Sequence, residues 1–142
     1  DKGRSDLNPL PEYRSSQDLC PVEGANATLV IGSRLPNAIH SRFHGVSWAR
    51  SLRQEPAVDM SPADAKDLGV EEGGKVRLTT ASGSSVVVGA HITGTGNPGE
   101  MYLYHGYAEA DGNSLIPASH LDPYSGFPGY RQIACRVERI GE

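Results

Sequence analysis

Long apolar runs and basic clusters are both missing from the sequence. No apolar stretch approaches the roughly 20 residues that a membrane-spanning helix needs, and the N-terminus lacks the apolar core of a signal peptide. Lysine and arginine total 13 against 17 aspartate and glutamate residues, which gives a formal net charge of −4. A field of this sign repels a phosphate backbone. We therefore expect a soluble chain with neither direct membrane insertion nor a nucleic-acid partner.

Cysteine is scarce, and the patterns of the common catalytic centres are missing. The two cysteines, Cys20 and Cys135, have neither the spacing of a zinc site nor the density of a disulfide framework. The sequence shows no Ser-His-Asp grouping in a recognisable context and no glycine-rich phosphate loop at a helix start. It therefore predicts two reduced, structural thiols, no metal ligands and no complete catalytic centre.

Glycine and proline, in contrast, are plentiful, with 17 and 10 residues among 142. This composition predicts many turns and short elements, and the length fits one mainly β domain with a single core. Residues 1–27 have no periodicity and are interpreted as an irregular lead-in or a linker, whereas residues 28–142 are predicted to form the domain. Because the chain begins at Asp1 rather than methionine, we interpret it as a piece of a longer polypeptide or a processed product.

Six segments have the alternation or the apolar runs of strands. Val76 and Leu78 alternate with polar neighbours, and Ile133, Cys135 and Val137 share one face of the last segment. We expect these apolar faces to be core. The predicted strands are residues 28–32, 56–60, 74–80, 84–93, 99–104 and 131–139.

Two helices are predicted, one of them from strong boundary signals. Ser61 can cap the first amides, Pro62 suits the first helical position, and Gly69 can end the helix in a left-handed turn. We expect this helix to cover an open end of a barrel. Apolar spacing around Trp48 predicts a second, short helix with Trp48 as a packing anchor. His91, inside a predicted strand, is interpreted as scaffold.

Hydrogen-bond donors crowd the loop that follows the first predicted strand. That strand ends at Gly32, and Arg34, Asn37, His40 and Ser41 come shortly after it. Arginine forks suit phosphate or a planar ring rich in carbonyl groups. The loop therefore indicates a polar, anionic ligand, although a solvated surface loop is an open alternative.

This stretch resembles the start of the C-terminal cofactor-binding domain of the dimethyl sulfoxide reductase family of molybdenum and tungsten oxidoreductases. In that family a strand ends in a Gly-Arg turn, and a loop containing histidine follows. The matching residues here are Gly32, Arg34, His40 and Ser41. The run His40-Ser41-Arg42-Phe43 resembles the branch of thiosulfate and polysulfide reductases.

The resemblance spans about residues 28–140 and includes two later segments that match the family. At one position the sequence differs from the family pattern. Asn113-Ser114-Leu115 resembles the family's Asn-x-Leu step, and residues 121–125 resemble its Leu-Asp-Pro-x-Ser segment. Ser33 stands between Gly32 and Arg34, where many relatives have Gly-Arg directly.

The resemblance implies a fold, a cofactor and a site. The fold is a mainly β, six-stranded double-psi β-barrel with one or two short helices. The cofactor is bis(molybdopterin guanine dinucleotide) with molybdenum or tungsten, shared with domains outside this chain, whose metal is held by the pterins and by a residue of an earlier domain. The implied cofactor-binding residues are Gly32, Ser33, Arg34, Asn37, His40, Ser41, His105, Asn113, Tyr130 and Arg131.

Several residues of the site keep alternative interpretations. Arg34 would reach phosphate or pterin, and Asn113 would either pair with the edge of the pterin or simply form a turn. Arg131 stands where many relatives carry lysine, and it would contact the ring or be solvated. His105 and Tyr107 would line the approach to the site or fill its rim.

Three functions are compatible with the resemblance. The first is the C-terminal barrel of a prokaryotic oxidoreductase of anaerobic respiration, cytoplasmic or periplasmic, with the remainder of the catalytic chain as partner. The second is a separate small subunit that docks on a catalytic subunit, and the third is a non-catalytic interaction module. The third predicts that the loops at 34–44 and 113–131 point to different faces, whereas cofactor binding requires them to converge. The chain alone is not expected to be catalytic.

Overall fold

The computed structural model describes residues 20–33, 35, 40–42, 44–122 and 124–141, so that Arg34 and Asn37 lie outside the described residues. Within these ranges the strands are β1 (Ala27–Ser33), β2 (Ala57–Met60), β3 (Lys75–Thr80), β4 (Ser85–Ile92), β5 (Glu100–Tyr104) and β6 (Ile133–Arg139). The α-helices are α1 (Ser47–Arg50) and α2 (Pro62–Leu68), and Gly112–Leu115 and Ala118–His120 form 3₁₀ helices. None of the described helices is long and apolar enough to cross a membrane.

The six strands close into a barrel in the order β1-β5-β2-β4-β3-β6. Two pairs are parallel, β1 with β5 and β2 with β4, and the other four neighbours are antiparallel. Closure gives each of these strands a partner on both sides, which removes exposed sheet edges. The fold is the six-stranded double-psi β-barrel with short helices that the resemblance implies, and this prediction is confirmed.

The barrel interior is filled by the alternate residues of the strands. Val76 and Leu78 of β3 are fully buried, whereas their neighbours Lys75 and Arg77 are exposed. On β6 the side chains of Ile133, Cys135 and Val137 are all at most 2% exposed. The predicted inward faces of both strands are therefore confirmed. Each fully buried aliphatic side chain contributes about 1.5–3 kcal/mol to the hydrophobic stabilisation.

Helix α2 has the boundaries that its sequence predicts. Ser61 Oγ accepts a hydrogen bond from the Asp64 backbone N–H at 3.1 Å, and Gly69 ends the helix with a φ of 63°. The Asp64 carboxylate also accepts from the Gly99 N–H at 2.9 Å, which ties the helix to the turn before β5. Ala65 and Val70 are buried in the main core. The helix and the turn after it therefore pack on the barrel core, with half-buried Leu68 against the same cluster. Its position over an open end of the barrel stays a prediction.

The prediction that Trp48 is a packing anchor is wrong. Its side chain is 65% exposed, and the buried residue of α1 is its neighbour Ala49 at 3%. Successive residues of a helix point about 100° apart, so a four-residue helix that buries Ala49 turns the adjacent indole outward. Leu52, at 66% exposure, also lies outside the core.

The described part of the predicted lead-in, residues 20–27, contacts the barrel. Asn26 bonds to β6 through both ends of its amide, since its Nδ2 donates to Val137 O at 3.0 Å and its Oδ1 accepts from Val137 N at 2.8 Å. Cys20 is 2% exposed, and Ala27 already belongs to β1. At the other end of the fold, β6 begins at Ile133 rather than 131, because Gln132 has a φ of 62°, which is not a strand conformation.

The two cysteines are free thiols, as predicted, and both are buried. Burial raises the pKa of Cys135 from 9.0 to about 12. Between these two pH values the unfolded thiol ionises and the native one does not, so Cys135 makes the native state progressively less stable as the pH rises above 9.0.

We predict that Cys135 is unreactive in the folded chain. A Cys20→Ser variant, in which Cys135 is the remaining thiol, should react with a disulfide reagent at about pH 9 at least about 100-fold more slowly when native than in guanidinium, because the thiolate is the reactive form. Absorbance of the released thiol measures both rates. Equal rates in the two conditions would show that Cys135 is accessible.

Candidate functional site

A groove of about 1170 Å³ opens at one end of the barrel, and four connections of the chain line it. Residues from after β1, from after β5, from the first 3₁₀ helix and from the segment before β6 all contribute to it. Seven of the implied site residues lie in its lining, namely Gly32, His40, Ser41, His105, Asn113, Tyr130 and Arg131. Ser33 is not one of the lining residues, and Arg34 and Asn37 are outside the described residues.

The pairing of the strands explains why these connections meet. β1 and β5 are parallel, so their carboxyl ends, Ser33 and Tyr104, lie side by side and their following loops start at one edge. The segment before β6 reaches the same edge, because the Ile31 N–H donates to Tyr130 O at 2.7 Å. Connections that are distant in sequence therefore converge.

Two histidines and a carbonyl form a chain of hydrogen bonds at the groove. His105 Nδ1 lies 3.1 Å from Ser33 O, and its Nε2 lies 2.6 Å from His40 Nδ1. A carbonyl can only accept, so His105 Nδ1 carries the proton, and in the neutral ring Nε2 accepts from His40. Ser33 therefore serves the groove through its backbone, by fixing the orientation of His105.

Gly106 brings the loop after β5 against the loop after β1. Its φ is 104°, and a Cβ at this position would lie 2.6 Å from His40 O. Such a close approach of two backbones needs a residue without a side chain. Gly32 also has a positive φ, 96°, but a Cβ there would meet no atom of the described residues within 4 Å. The groove floor at Gly32 is therefore bare backbone that a ligand can approach.

Asn113 and Arg131 are exposed polar residues of the groove that make no side-chain hydrogen bond or ion pair with other described residues. The turn at Asn113 is held by another residue, since Asp111 Oδ1 accepts from the Asn113 backbone N–H at 3.0 Å. The interpretation of Asn113 as a turn former therefore does not explain its side-chain amide, which takes no part in the turn. Both side chains are available to a ligand.

The carboxylates of the groove, Asp111 and Asp122, differ from these side chains because both accept hydrogen bonds within local turns. Asp122 Oδ1 accepts from Ser125 N and Ser125 Oγ at 2.7 Å each, and from Tyr124 N at 3.1 Å. The hydrogen bonds from Ser125 lower the pKa of Asp122. The Leu-Asp-Pro-x-Ser segment thus shapes the loop before β6 around an ionised carboxylate.

His105 and Tyr107 have different surroundings. His105 is half-buried and faces the groove, whereas Tyr107 is 2% exposed and donates its hydroxyl to Arg53 O at 3.0 Å. Burial raises the pKa of Tyr107, so this hydroxyl stays a donor. Tyr107 therefore packs at the rim of the groove and attaches the segment after α1 to the loop after β5. It is also one of the residues that line the groove.

Sequence reasoning missed several residues of the lining. Further lining residues include Ile31, Asp111, His120, Asp122, Phe127 and Gly129. His120 directly precedes the segment that begins at Leu121, so its position beside a family-like motif was a usable signal. Phe127 and Gly129 lie where the sequence has no periodicity, and nothing in the sequence marks them.

A second polar cluster lies on the outer surface of the barrel. His91 Nδ1 and Arg53 Nη2 lie 2.8 and 3.3 Å from Asp59 Oδ1. The Arg53 guanidinium also covers the ring of Tyr104. These contacts are consistent with His91 as scaffold. Among the described residues no group of three or more histidine, cysteine or acidic side chains could hold a metal ion.

Comparison with known proteins agrees with this architecture. Residues 29–134 match the family model described as "Molydopterin dinucleotide binding domain". The chain superimposes on acetylene hydratase from Pelobacter acetylenicus with a TM-score of 0.81 at 18% identity, covering 95% of this chain and 22% of that one. That likeness shows the fold.

Curated relatives are found in Staphylococcus aureus. A protein of strain bovine RF122 / ET3-1 named "Putative formate dehydrogenase" is 31% identical over 90 residues, or 60% of this chain. Its counterpart in strain USA300 is 32% identical over 88 residues. The chain spans 9% of the length of these relatives. It belongs to the molybdopterin dinucleotide-binding domains of the dimethyl sulfoxide reductase family.

Proposed function

We propose that the groove binds one end of a bis(molybdopterin guanine dinucleotide) cofactor that carries molybdenum or tungsten. The observation that carries this proposal is the convergence of four connections on one groove, where Asn113 and Arg131 have no side-chain partner among the described residues. The family match supports a molybdopterin dinucleotide as the ligand. The guanine nucleotide and the metal are the parts of the proposal that go beyond that match.

The residues of the groove fit such a ligand. Asn113 can donate and accept at once, which matches the edge of a pterin or guanine ring. Arg131 can offer a planar fork to phosphate or to ring carbonyls. The bare backbone at Gly32 allows a planar or charged group to approach closely. His40 and His105 line the same edge, where the hydrogen bond between their rings fixes both in place.

The role of this chain is to bind and orient, because none of its described residues forms a recognisable catalytic set. When bound, the cofactor supplies the redox chemistry. The partner is the remainder of a catalytic chain or a catalytic subunit, in agreement with the 9% of the relatives' length that the chain spans. The interaction-module alternative placed the two loop regions on different faces. His40, Asn113 and Arg131 instead line one groove, which supports cofactor binding.

Two substrate classes are proposed for the complete enzyme. The run from His40 to Phe43 favours the thiosulfate and polysulfide reductase branch, while the names of the staphylococcal relatives favour formate. Reduction of thiosulfate or polysulfide and oxidation of formate, each assayed with an artificial electron carrier, separate the two. Activity with formate alone would remove the sulfur-compound proposal.

Replacement of the unpartnered polar residues tests cofactor binding directly. In the complete enzyme that carries this domain, Asn113→Ala and Arg131→Ala should each retain the cofactor about 10-fold more weakly, because each removes hydrogen bonds to a charged or polar ligand. Pterin and metal content per protein after gel filtration is the measurement. Arg77→Ala is the matched control, since Arg77 is exposed on β3 outside the groove. Full content in both groove variants would overturn the proposal.

A further inference from the structure

The Cys20 thiol is within hydrogen-bond distance of His120, a groove residue that lies 100 positions later in the sequence. Its side chain is buried, and its sulfur lies 3.3 Å from Ser119 Oγ and 3.6 Å from His120 Nδ1. His120 itself lines the groove. The segment before β1 therefore supports the wall of the groove from behind.

The donor and acceptor roles of these three groups follow from their chemistry. A neutral imidazole nitrogen is a good acceptor, whereas thiol sulfur is a weak one. The favoured arrangement has the Ser119 hydroxyl donating to sulfur and the Cys20 thiol donating to His120 Nδ1. In that arrangement the proton of the neutral ring is on Nε2, so the histidine has one defined donor.

The opposite edge of the His120 ring is held by Gly129. A Cβ on Gly129 would lie 2.1 Å from His120 Cδ2 and 2.3 Å from Nε2, so a ring in this position requires glycine. The Gly129 N–H also donates to His120 O at 3.0 Å. Cys20 on one edge and Gly129 on the other thus fix the ring beside the groove, of which Gly129 is also part.

We propose that His120 is an additional binding residue of the groove, which donates its Nε2–H to a phosphate or carbonyl oxygen of the dinucleotide. Cys20 is its positioning residue, because the thiol selects the tautomer that has this donor. The inference rests on the proposed function for the identity of the ligand. The arrangement of Cys20, His120 and Gly129 does not depend on it.

The first experiment examines the positioning step without ligand. Nitrogen-15 NMR of histidine-labelled 142-residue chain, across a pH titration, reports the tautomer of each neutral ring, and His120→Gln assigns the signal. In the wild type the neutral His120 ring should be the Nε2–H tautomer, and in Cys20→Ala it should be a mixture of the two tautomers. Cys20→Ser should restore the Nε2–H tautomer, because a serine hydroxyl can also donate to Nδ1. Gly129→Ala should displace the ring and give the mixture as well. The same tautomer in wild type and Cys20→Ala would overturn the role of Cys20.

The second experiment examines binding in the complete enzyme, through pterin content after gel filtration. We expect about 3- to 10-fold weaker retention in His120→Gln, a smaller loss in Cys20→Ala and near wild-type retention in Cys20→Ser. Unchanged retention in His120→Gln, with loss in Asn113→Ala and Arg131→Ala, would overturn the role of His120 and leave the proposed function standing. Unchanged retention in all three would overturn the proposed function itself.

Discussion

Gly106→Ala is expected to disrupt the groove and to destabilise the chain. The new Cβ would lie 2.6 Å from His40 O, 2.9 Å from His40 C and 3.2 Å from Ser41 N, and backbone atoms cannot rotate away as a side chain can. The φ of 104° adds strain for a residue with a side chain. We expect a loss of about 2–4 kcal/mol in the free energy of unfolding, and at least about tenfold lower retention of pterin by the complete enzyme.

Gly83→Ala is the control for this prediction. Gly83 has a φ of 82°, but a Cβ there would meet no atom within 4 Å in the described part of the chain, and the residue lies in the turn between β3 and β4 outside the groove. Gly83→Ala should lower the free energy of unfolding by only about 1–2 kcal/mol, the cost of a left-handed conformation for a residue with a side chain. The complete enzyme that carries it should keep its pterin. Urea unfolding of both variants separates strain from the clash. If the two variants behave alike in stability and in pterin content, Gly106 does not form the groove.

Leu103→Ala should cause a large loss of stability, about 2–5 kcal/mol, because it leaves a cavity in the barrel. Leu103 is fully buried near the carboxyl end of β5, where it pairs with Ile31 of β1 and with Val58 of β2. The chain is short, so a loss of this size is a substantial part of the total. Urea unfolding followed by circular dichroism gives the difference.

Val87→Ala is the matched control, because Val87 is 44% exposed on β4 and should change the stability by less than about 1 kcal/mol. A loss below about 1 kcal/mol in Leu103→Ala as well would mean that the interior of the barrel is not packed around β5.

Local sequence patterns predict the strands and α2 because their causes are local. Alternation places Val76 and Leu78 on one face whatever they pack against, and the cap at Ser61 with the stop at Gly69 defines a helix without its neighbours. Trp48 shows the limit of this reasoning. Its apolar character predicts burial, but the orientation of α1 follows from the contact of Ala49, which the sequence alone does not reveal.

The residues of the groove also fall into two groups, those that a local motif reveals and those that depend on contacts between distant parts of the chain. Motif resemblance finds Gly32, His40 and Asn113, whose groups face the groove. It cannot find the order of the strands, since β1 and β5 become neighbours only when the barrel closes. Gly129 was missed because its significance depends on its packing against the His120 ring. The position of His120 before Leu121 was a usable signal, but its contact with Cys20, from the other end of the chain, is not visible in the sequence.

The density of the cofactor in a structure of the loaded complete enzyme tests the central claim most directly. The account predicts a molybdopterin nucleotide in the groove, with acceptor or donor atoms within about 3.2 Å of the side chains of Asn113 and Arg131, and its plane or phosphate over Gly32. A cofactor bound entirely by other parts of the enzyme, with this groove filled by water or protein, would contradict it.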